Sequence, residues 1–435
     1  MDTVQSSPLP DISKNYVCLP NRFFSSHRRR NSLLGLAGLE NTGNICFINA
    51  ALQCVFNAVP LTDYFLTGVF MEEVNLENRL GTKGEVAAAF AEVLEAQWLQ
   101  THACLLPRKL LNTVFKHAPQ FADGRQHDAH EFLAFLLDTL HEDLNRAKVR
   151  FYSSPPVEDK QMPDEDKAAL AWRFYLERNS SVIVDLFQGQ LKSSVTCLAC
   201  GHVSTTFDTF MYLSLPIPKR RGAMTLVDCL VEFSKDEILT DPTWKCPGCG
   251  KLVKARKKMD IWKVPPLLLI HLKRFYYLQC SSGKLTNRIE YPTTDLDISS
   301  YVSSPQKEPP LYNLFAKIDH EGDISAGHYS TLTRNRKSGN WHKFDDEDVQ
   351  TVQEDNVSNE KAYVLFYCKV SIQEYRRQCL KLPDLWPHIV SKGSIESEDF
   401  PPDQTGSTVS VLDQKGPQRR WKLHALASEA ESPRV

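Results

Sequence analysis

Residues 38–53 read GLENTGNICFINAALQ, and this stretch decides the fold of the chain. A loop rich in glycine and asparagine ends at Cys46, and an apolar pattern at helix spacing follows directly, with Ile48, Leu52, Val55 and Phe56 on one face. The thiol is therefore predicted at a helix N-terminus, where free N–H groups and the helix dipole favour the thiolate. Such a cysteine is either a catalytic nucleophile or a buried residue that opens a core helix, and the rest of the chain decides between these readings.

The composition is that of a globular protein from a reducing compartment. The chain has 435 residues, which is enough length for a large core. Its net charge is only −2, so it has no overall electrostatic field that would attract nucleic acid. No apolar run approaches the ~20 residues that span a bilayer, and the first 20 residues lack the apolar segment of a signal peptide. The 12 cysteines then indicate metal binding or catalysis rather than disulfides. We expect a monomer in the cytoplasm, the nucleus or both, without membrane or nucleic-acid partners.

Two polar tails, 1–35 and 371–435, are expected to flank one globular region, 36–370. The first half of that region has the periodicity of helices, at 82–99, 106–117 and 126–145. The second half has the pattern of strands, at 190–196, 207–215, 267–275, 311–318, 328–334, 341–344 and 362–368. Helices first and strands second predict an α+β domain with a helical lobe facing a sheet-rich lobe. A cleft between two such lobes is a common place for an active site.

Two Cys-x-x-Cys pairs predict a structural metal site. They are Cys197 with Cys200 and Cys246 with Cys249. Four thiolates in this pattern suit tetrahedral Zn²⁺ at Zn–S distances of ~2.3 Å, and a set made only of cysteines leaves no position for a reactive water. We therefore expect one structural zinc ion held by the four cysteines. His202 is an alternative ligand, but a set of four cysteines is the simpler arrangement. The competing interpretation is two redox-active or incidental pairs.

His328 is the candidate general base, because it begins a predicted strand after the glycine-bounded loop GDISAG at 322–327. If strands 328–334 and 341–344 form a hairpin, His328 and Asp345 pair about a midpoint inside the turn at 335–340. The carboxylate would then orient the imidazole as a catalytic triad requires. Strand alternation points Asp346 to the opposite face and makes it the weaker candidate. A His–Asp pair on a hairpin is more often structural, so this pair gains significance only if it meets Cys46.

These segments together resemble the ubiquitin-specific proteases, papain-like cysteine peptidases that cleave ubiquitin from proteins. The matching segments follow the family's order: 38–53, QHDAHEFL at 126–133, LKRF at 272–275, the region 312–346 with GHY and KFDD, and AYVLFY at 362–367. The resemblance implies a papain-like fold with a helical thumb, a β-rich palm and β fingers. The fingers would lie at about 188–262 and carry the zinc at their tip.

The resemblance also implies a site and an activity. Cys46 matches the nucleophile, His328 the general base and Asp345 the residue that orients it. Asn41 matches the side chain that helps to form the oxyanion hole. The implied reaction is hydrolysis of the (iso)peptide bond after the C-terminal glycine of ubiquitin, through a thioester, with ubiquitin and ubiquitinated proteins as partners. The alternative from another class is a catalytically weak ubiquitin-binding scaffold with the same fold.

Two residues depart from the family's pattern. Ile45 replaces a hydroxyl residue beside the nucleophile, and Ala326 replaces the usual glycine before Gly327. Isoleucine adds bulk, and alanine restricts any conformation with positive φ. Either change is expected to slow catalysis or to narrow the choice of substrate. Neither removes a chemical group that the mechanism requires, so an active enzyme is the leading interpretation.

Overall fold

The computed structural model describes residues 34–99, 103–147, 162–220, 222–278, 281–306, 308–323 and 326–369. All of them belong to one unit of the chain, Met1–Gly393. The predicted tails lie outside the described residues, apart from residues 34 and 35, so their irregular structure stays a prediction. Within the described part, no helix has both the length and the apolar character needed to cross a bilayer.

Helices dominate the first half, as the periodicity predicted. In the described residues they are α1 (Cys46–Phe56), α2 (Val59–Leu66), α3 (Phe70–Glu73), α4 (Glu85–Leu99), α5 (Arg108–His117), α6 (Ala129–Asp143), α7 (Asp164–Leu176), α8 (Val182–Phe187) and α9 (Leu226–Phe233). The three predicted helices are confirmed as α4, α5 and α6, with small changes at their ends. Asp128 starts α6 by accepting a hydrogen bond from the backbone N–H of His130 at 2.8 Å, which satisfies a donor that the helix leaves open.

Strands dominate the second half. In the described residues they are β1 (Gly38–Leu39), β2 (Cys104–Leu105), β3 (Gly189–Cys197), β4 (Val203–Phe210), β5 (Leu213–Pro216), β6 (Met224–Thr225), β7 (Glu237–Lys245), β8 (Leu252–Lys263), β9 (Leu267–Lys273), β10 (Phe275–Leu278), β11 (Ser281–Lys284), β12 (Ile289–Glu290), β13 (Leu296–Asp297), β14 (Leu311–Gly322), β15 (Gly327–Arg334), β16 (Trp341–Asp345), β17 (Asp348–Val352) and β18 (Ala362–Cys368). An eight-stranded sheet in the order β17-β16-β15-β14-β18-β9-β5, with β13 paired to β14, forms the palm. A four-stranded sheet in the order β4-β3-β8-β7 forms the fingers. The α+β fold with thumb, palm and fingers is confirmed.

The palm sheet is covered on both faces, which explains its continuous apolar strands. Along β18, Val364 and Phe366 pack into the core shared with the thumb helices, whereas Leu365 and Tyr367 pack into a second core on the opposite face. Neighbouring β9 divides in the same way, with Leu269 on the thumb side. Because successive side chains in a strand point to opposite faces, a strand between two cores must be apolar at nearly every position.

Helix α1 lies at the centre of the thumb, and all of its residues are buried. It packs against β15 of the palm and against α6 of the thumb. A helix that is apolar all round is stable only where packing surrounds it. The quoted stretch therefore fixes the junction of the two lobes, and it places the first residue of α1 at that junction.

Two details of the predicted second half are wrong. The single strand expected at 207–215 is two strands, β4 and β5, which belong to different sheets. The range 188–262 predicted for the fingers also contains α9, which packs against β5 and contributes Leu226 and Leu230 to the second palm core. The chain thus returns to the palm between the two outer strands of the fingers.

Candidate active site

Cys46 is the first residue of α1 and is 1% exposed. The preceding Ile45 is the N-cap, and its carbonyl accepts hydrogen bonds from the backbone N–H groups of Ile48 and Asn49. The Sγ atom lies 3.4 Å from the side-chain amide of Gln126. It also accepts a hydrogen bond from the backbone N–H of Tyr329 in β15 at 3.5 Å. The thiol therefore sits at a helix N-terminus and contacts the palm, as the sequence predicted.

His328 and Asp345 form a pair beside this thiol. His328 Nε2 lies 2.5 Å from Asp345 Oδ1, and the second carboxylate oxygen accepts from Lys343 Nζ at 2.6 Å. A hydrogen bond to Cys46 raises the pKa of His328 to about 9, and the bond to Asp345 acts in the same direction, while burial opposes both. Burial raises the pKa of Asp345, but its bonds to Lys343 and His328 outweigh burial and hold it below its usual value. The arrangement favours an imidazolium that faces the sulfur.

The hairpin register differs from the predicted one by two residues. In the structure Thr331 pairs with Phe344 and Leu332 with Lys343, so continuing the ladder places Asp345 opposite Ser330 rather than His328. Side chains alternate with a period of two, and a shift of two residues keeps them on the same face. His328 and Asp345 are therefore diagonal neighbours rather than a direct pair, a distance that long side chains bridge.

Asp346 does not point away from the site, and that part of the prediction is wrong. It follows the last residue of β16 and has a φ of 54°, in the left-handed region, so strand alternation does not apply to it. Its carboxylate lies in one cluster with His328 and Asp345, with their ligand atoms within 4.8 Å of one another. It accepts from Asn41 Nδ2 at 2.8 Å and from Asn49 Nδ2 at 2.9 Å. Asp346 thereby joins the nucleophile loop and α1 to the palm.

The Asn41 side chain is fixed at both ends. Its Oδ1 accepts from the backbone N–H groups of Gly43 at 3.1 Å and Ile45 at 3.2 Å, and one of its two Nδ2 hydrogens goes to Asp346. The loop before α1 is tied further by Asn44, whose Nδ2 donates to Gly124 O at 2.9 Å. This amide is therefore held rigidly beside the N-terminus of α1.

The sequence indicated no role for Gln126 or Asn49 and made Asp346 only the weaker candidate, whereas the structure places all three in this site. Gln126 precedes α6 and contacts the thiol, whereas Asn49 lies one turn into α1. The available signal was weak: a polar Asn49 within an apolar helix, and a second aspartate directly after Asp345. Asn49 is 2% exposed, and a polar side chain buried to this extent requires a hydrogen-bond partner.

The first departure from the family's pattern is accommodated without backbone strain, since Ile45 has a φ of −101° and is buried in the thumb core. Ala326 is exposed and follows a segment outside the described residues, so the restriction expected from alanine at this position stays a prediction.

The four cysteines of the two Cys-x-x-Cys pairs meet at the fingertips. The Sγ atoms of Cys197, Cys200, Cys246 and Cys249 all lie within 4.8 Å of one another, and those of Cys200 and Cys246 are 3.7 Å apart. A tetrahedral ion with metal–sulfur bonds of ~2.3 Å requires sulfurs about 3.8 Å apart. Backbone N–H groups of Cys200 and Gly248 donate to sulfurs of the cluster at 3.4 and 3.3 Å, and hydrogen bonds of this kind orient the sulfurs that bind a metal ion. These residues fit a metal ion, and His202 is not among the clustered ligands.

A helix-borne cysteine that faces a histidine–aspartate pair across two lobes defines the class of papain-like cysteine peptidases. The family profile described as ubiquitin carboxyl-terminal hydrolase matches residues 37–367. The chain is 39% identical over 339 residues to human (Homo sapiens) ubiquitin carboxyl-terminal hydrolase 2, covering 77% of this chain and 55% of that protein. It is 38% identical over 336 residues to the Gallus gallus protein of the same name, covering 77% and 93%. The chain belongs to the ubiquitin carboxyl-terminal hydrolase family.

Solved structures agree with this assignment. The SAGA DUB module Ubp8/Sgf11/Sus1/Sgf73 bound to monoubiquitin contains a chain that is similar to this one, with a TM-score of 0.62 and 27% sequence identity. The match covers 77% of this chain and 69% of that chain. The same module bound to ubiquitin aldehyde gives TM-score 0.62 and 27% identity, with coverages of 77% and 70%. The chain spans only about half the length of human ubiquitin carboxyl-terminal hydrolase 2, at 55%.

Proposed function

We propose that the protein is a deubiquitinase that hydrolyses the (iso)peptide bond after the C-terminal glycine of ubiquitin on protein substrates. The observation that supports this most directly is the geometry at the junction of thumb and palm. There, Cys46 begins a buried helix beside His328, and Asp345 holds the imidazole at 2.5 Å. Relatives that carry the name ubiquitin carboxyl-terminal hydrolase, and ubiquitin-bound structural neighbours, support the choice of ubiquitin as the tag.

The proposed reaction proceeds through a covalent thioester. The thiolate of Cys46 attacks the carbonyl carbon of the terminal glycine, and the negative charge moves to the carbonyl oxygen. The C–N bond then breaks, and the proton held by the imidazolium of His328 goes to the leaving amine. Water attacks the thioester with neutral His328 as base, releasing the ubiquitin carboxylate and restoring the thiol.

We assign the oxyanion contact to Asn41. Asp346 holds one hydrogen of the Asn41 amide at 2.8 Å and thereby fixes the direction of the other. A donor fixed in this way needs no reorganisation when charge develops, and loss of one such donor typically costs about 2.7–4 kcal/mol of transition-state stabilisation. Backbone N–H groups at the start of α1 are the natural second donors.

We propose that the fingertip cluster holds one structural Zn²⁺ ion. Its four sulfurs supply every ligand of a tetrahedral site, which leaves no position for a substrate or water, so the ion would contribute to folding and not to the reaction. The stretch between the two knuckles includes β4, β5, α9 and β7. A metal at this point therefore closes a long loop of the chain and fixes the tip of the fingers.

Ubiquitin and ubiquitinated proteins are the proposed partners, and we propose a monomer that binds neither nucleic acid nor membrane. The net charge of −2 supports the first of these exclusions. Cys54, Cys104, Cys229 and Cys368, which lie outside the fingertip cluster, are free thiols. Free thiols support a reducing compartment, which is the basis for proposing the cytoplasm or the nucleus.

The test is covalent capture by ubiquitin that carries a C-terminal electrophile, with the adduct read by intact mass. We expect one adduct with the unmodified protein and with Cys54→Ala, and none with Cys46→Ala. Cys54 is the matched control because it lies in the same helix and is buried against Thr331. A folded, metal-loaded protein that gives no adduct would overturn the proposal, and ubiquitin binding without an adduct would identify the scaffold instead.

A further inference from the structure

Strand β14 extends beyond the start of its neighbour β18. The first residue of β18, Ala362, pairs with Asp319, and the last backbone bond on that side runs from His320 N–H to Lys361 O at 2.9 Å. On the other side β14 continues to pair with β15 as far as Gly322. The N–H and C=O of one residue in an antiparallel strand point to the same side, and residues two apart share that side. The carbonyl of His320 therefore points to the side where β18 has ended. Gly322 has a φ of 83°, outside the strand region, so the direction of its carbonyl is given by its observed contact with Lys284 and not by strand alternation.

The ammonium group of Lys284 occupies this position. Its Nζ donates to His320 O at 2.9 Å and to Gly322 O at 3.0 Å, so one side chain serves both carbonyls that the missing strand leaves open. An ammonium has three donors and no acceptor, and it suits a site made of two adjacent carbonyls. Open carbonyls at a strand end would otherwise depend on water, which does not hold the strand in one place.

Lys284 is itself held in place by the base of its hairpin, β10–β11. The buried Arg274 donates from Nε to Ala362 O at 2.6 Å, and from Nη1 to Leu285 O at 3.0 Å and Asn287 O at 2.9 Å. The backbone of Leu285 returns a hydrogen bond to Arg274 O at 2.8 Å. The hairpin is thus fixed to the first residue of β18, and Lys284 reaches from this fixed base to the end of β14.

We propose that Lys284 is a positioning residue that sets the place of His328 through the end of β14. The residue between the two carbonyls is Glu321, and Glu321 is the direct partner of His328 in the β14–β15 ladder. His328 is the second residue of β15, with only Gly327 between it and the preceding loop, so the strand gives it little support from that side. Holding His320 and Gly322 fixes the segment against which His328 is aligned.

The inference rests on the proposed function for its activity readout, but its decisive test does not need ubiquitin. Lys284→Met removes the ammonium and keeps most of the stem. Lys361→Met is the matched control, because Lys361 pairs with the side chain of Glu321 at 2.8 Å on the same strand end but contacts no β14 carbonyl through its side chain. The first readout is the pH profile of Cys46 alkylation by iodoacetamide in the protein without ubiquitin. The second is kcat/KM on a fluorogenic C-terminal ubiquitin amide.

We expect Lys284→Met to move the pH profile of alkylation and to lower kcat/KM by about 10- to 100-fold, mostly through kcat, as a displacement of about 1 Å near the chemistry does. Lys361→Met should leave both readouts unchanged, and Lys284→Gln, which keeps a donor for one carbonyl, should fall between them. The proposal is overturned if Lys284→Met has the same alkylation profile as Lys361→Met. If Lys284→Met does not fold, Lys284→Gln takes its place in this comparison. If ubiquitin is not cleaved by any of these proteins while the alkylation profiles still differ, the proposed function fails and the positioning role stands.

Discussion

Gly327 is a position at which one added methyl group should damage the site. A Cβ placed on Gly327 would lie 2.1 Å from Nε2 and 2.7 Å from Cε1 of His320, and 2.8 Å from the backbone oxygen of Asp323. Ordinary contact begins at 3.4 Å. The His320 ring has no room to retreat, because it packs against Phe275 and Tyr329 with ring centroids 5.1 and 4.5 Å away. The start of β15 must therefore move by about 1 Å or more, since overpacked sites respond by shifting backbone.

This displacement gives the expected magnitude for Gly327→Ala. Moving a catalytic group by about 1 Å costs on the order of 100-fold in rate, and overpacking costs about 1–3 kcal/mol of stability. We would measure kcat/KM on a fluorogenic ubiquitin amide together with thermal unfolding. The control is Ala326→Gly, the adjacent residue, which is exposed and should change the rate by no more than about twofold. A Gly327→Ala variant as active and as stable as the parent would refute the reasoning. It would show that the start of β15 accepts an added methyl group without moving the backbone.

Three further perturbations have defined outcomes. Asp346→Ala removes the acceptor that holds the Asn41 amide and should lower kcat by about 100-fold with little change in KM, measured by steady-state kinetics. The pKa of His328, about 9, implies that the imidazolium persists above neutral pH: the alkaline limb of kcat/KM should fall near pH 9, and Asp345→Asn should move that limb to lower pH. Because the pKa of His328 is higher in the folded protein, protonation of His328 also stabilises the fold. This stabilisation is complete below about pH 6.5 and is lost as the pH rises through about 9, and the free energy of unfolding measured as a function of pH would detect it. Cys200→Ser should lower the metal content measured by mass spectrometry and raise KM for ubiquitin, yet leave Cys46 alkylation unchanged, because the fingertip ligands lie in a different sheet from β15.

Much of the fold could be predicted because its strongest signals are local. The helix that starts at Cys46 follows a loop rich in glycine and asparagine, and its apolar residues recur at helix spacing, so its start and face are both encoded in a few residues. The predicted strand at 362–368 coincides with β18, since this run of seven apolar and aromatic residues contains the β-branched Val364 and three aromatic side chains and leaves little alternative. The two Cys-x-x-Cys pairs also predicted a cluster that the structure contains.

The errors arose where tertiary structure overrides the local pattern. The apolar run at 207–215 has no turn signal that separates β4 from β5, because the break is imposed when the chain passes from the fingers to the palm. The predicted position of Asp346 assumed that β16 continues. Its left-handed φ ends the alternation, and Leu39 N–H donates to Asp346 O at 2.8 Å, so the turn is held by a strand about 300 residues earlier in the chain. Nothing near Asp346 in the sequence carries that information.

The register error shows why His328 and Asp345 were nevertheless predicted to lie together. A shift of one residue would have turned Asp345 to the other face of the sheet, whereas the shift of two left it beside His328. What the sequence determines is the face, through the alternation of buried and polar residues, and the exact partner follows from the turn and the neighbouring strands. The groups that refine the site, Asp346 after β16 and Lys284 beside β14, both act where a strand or its neighbour ends. Strand ends expose backbone and side-chain groups that the ladder no longer pairs, and these are the places where polar chemistry can be built into an otherwise apolar sheet.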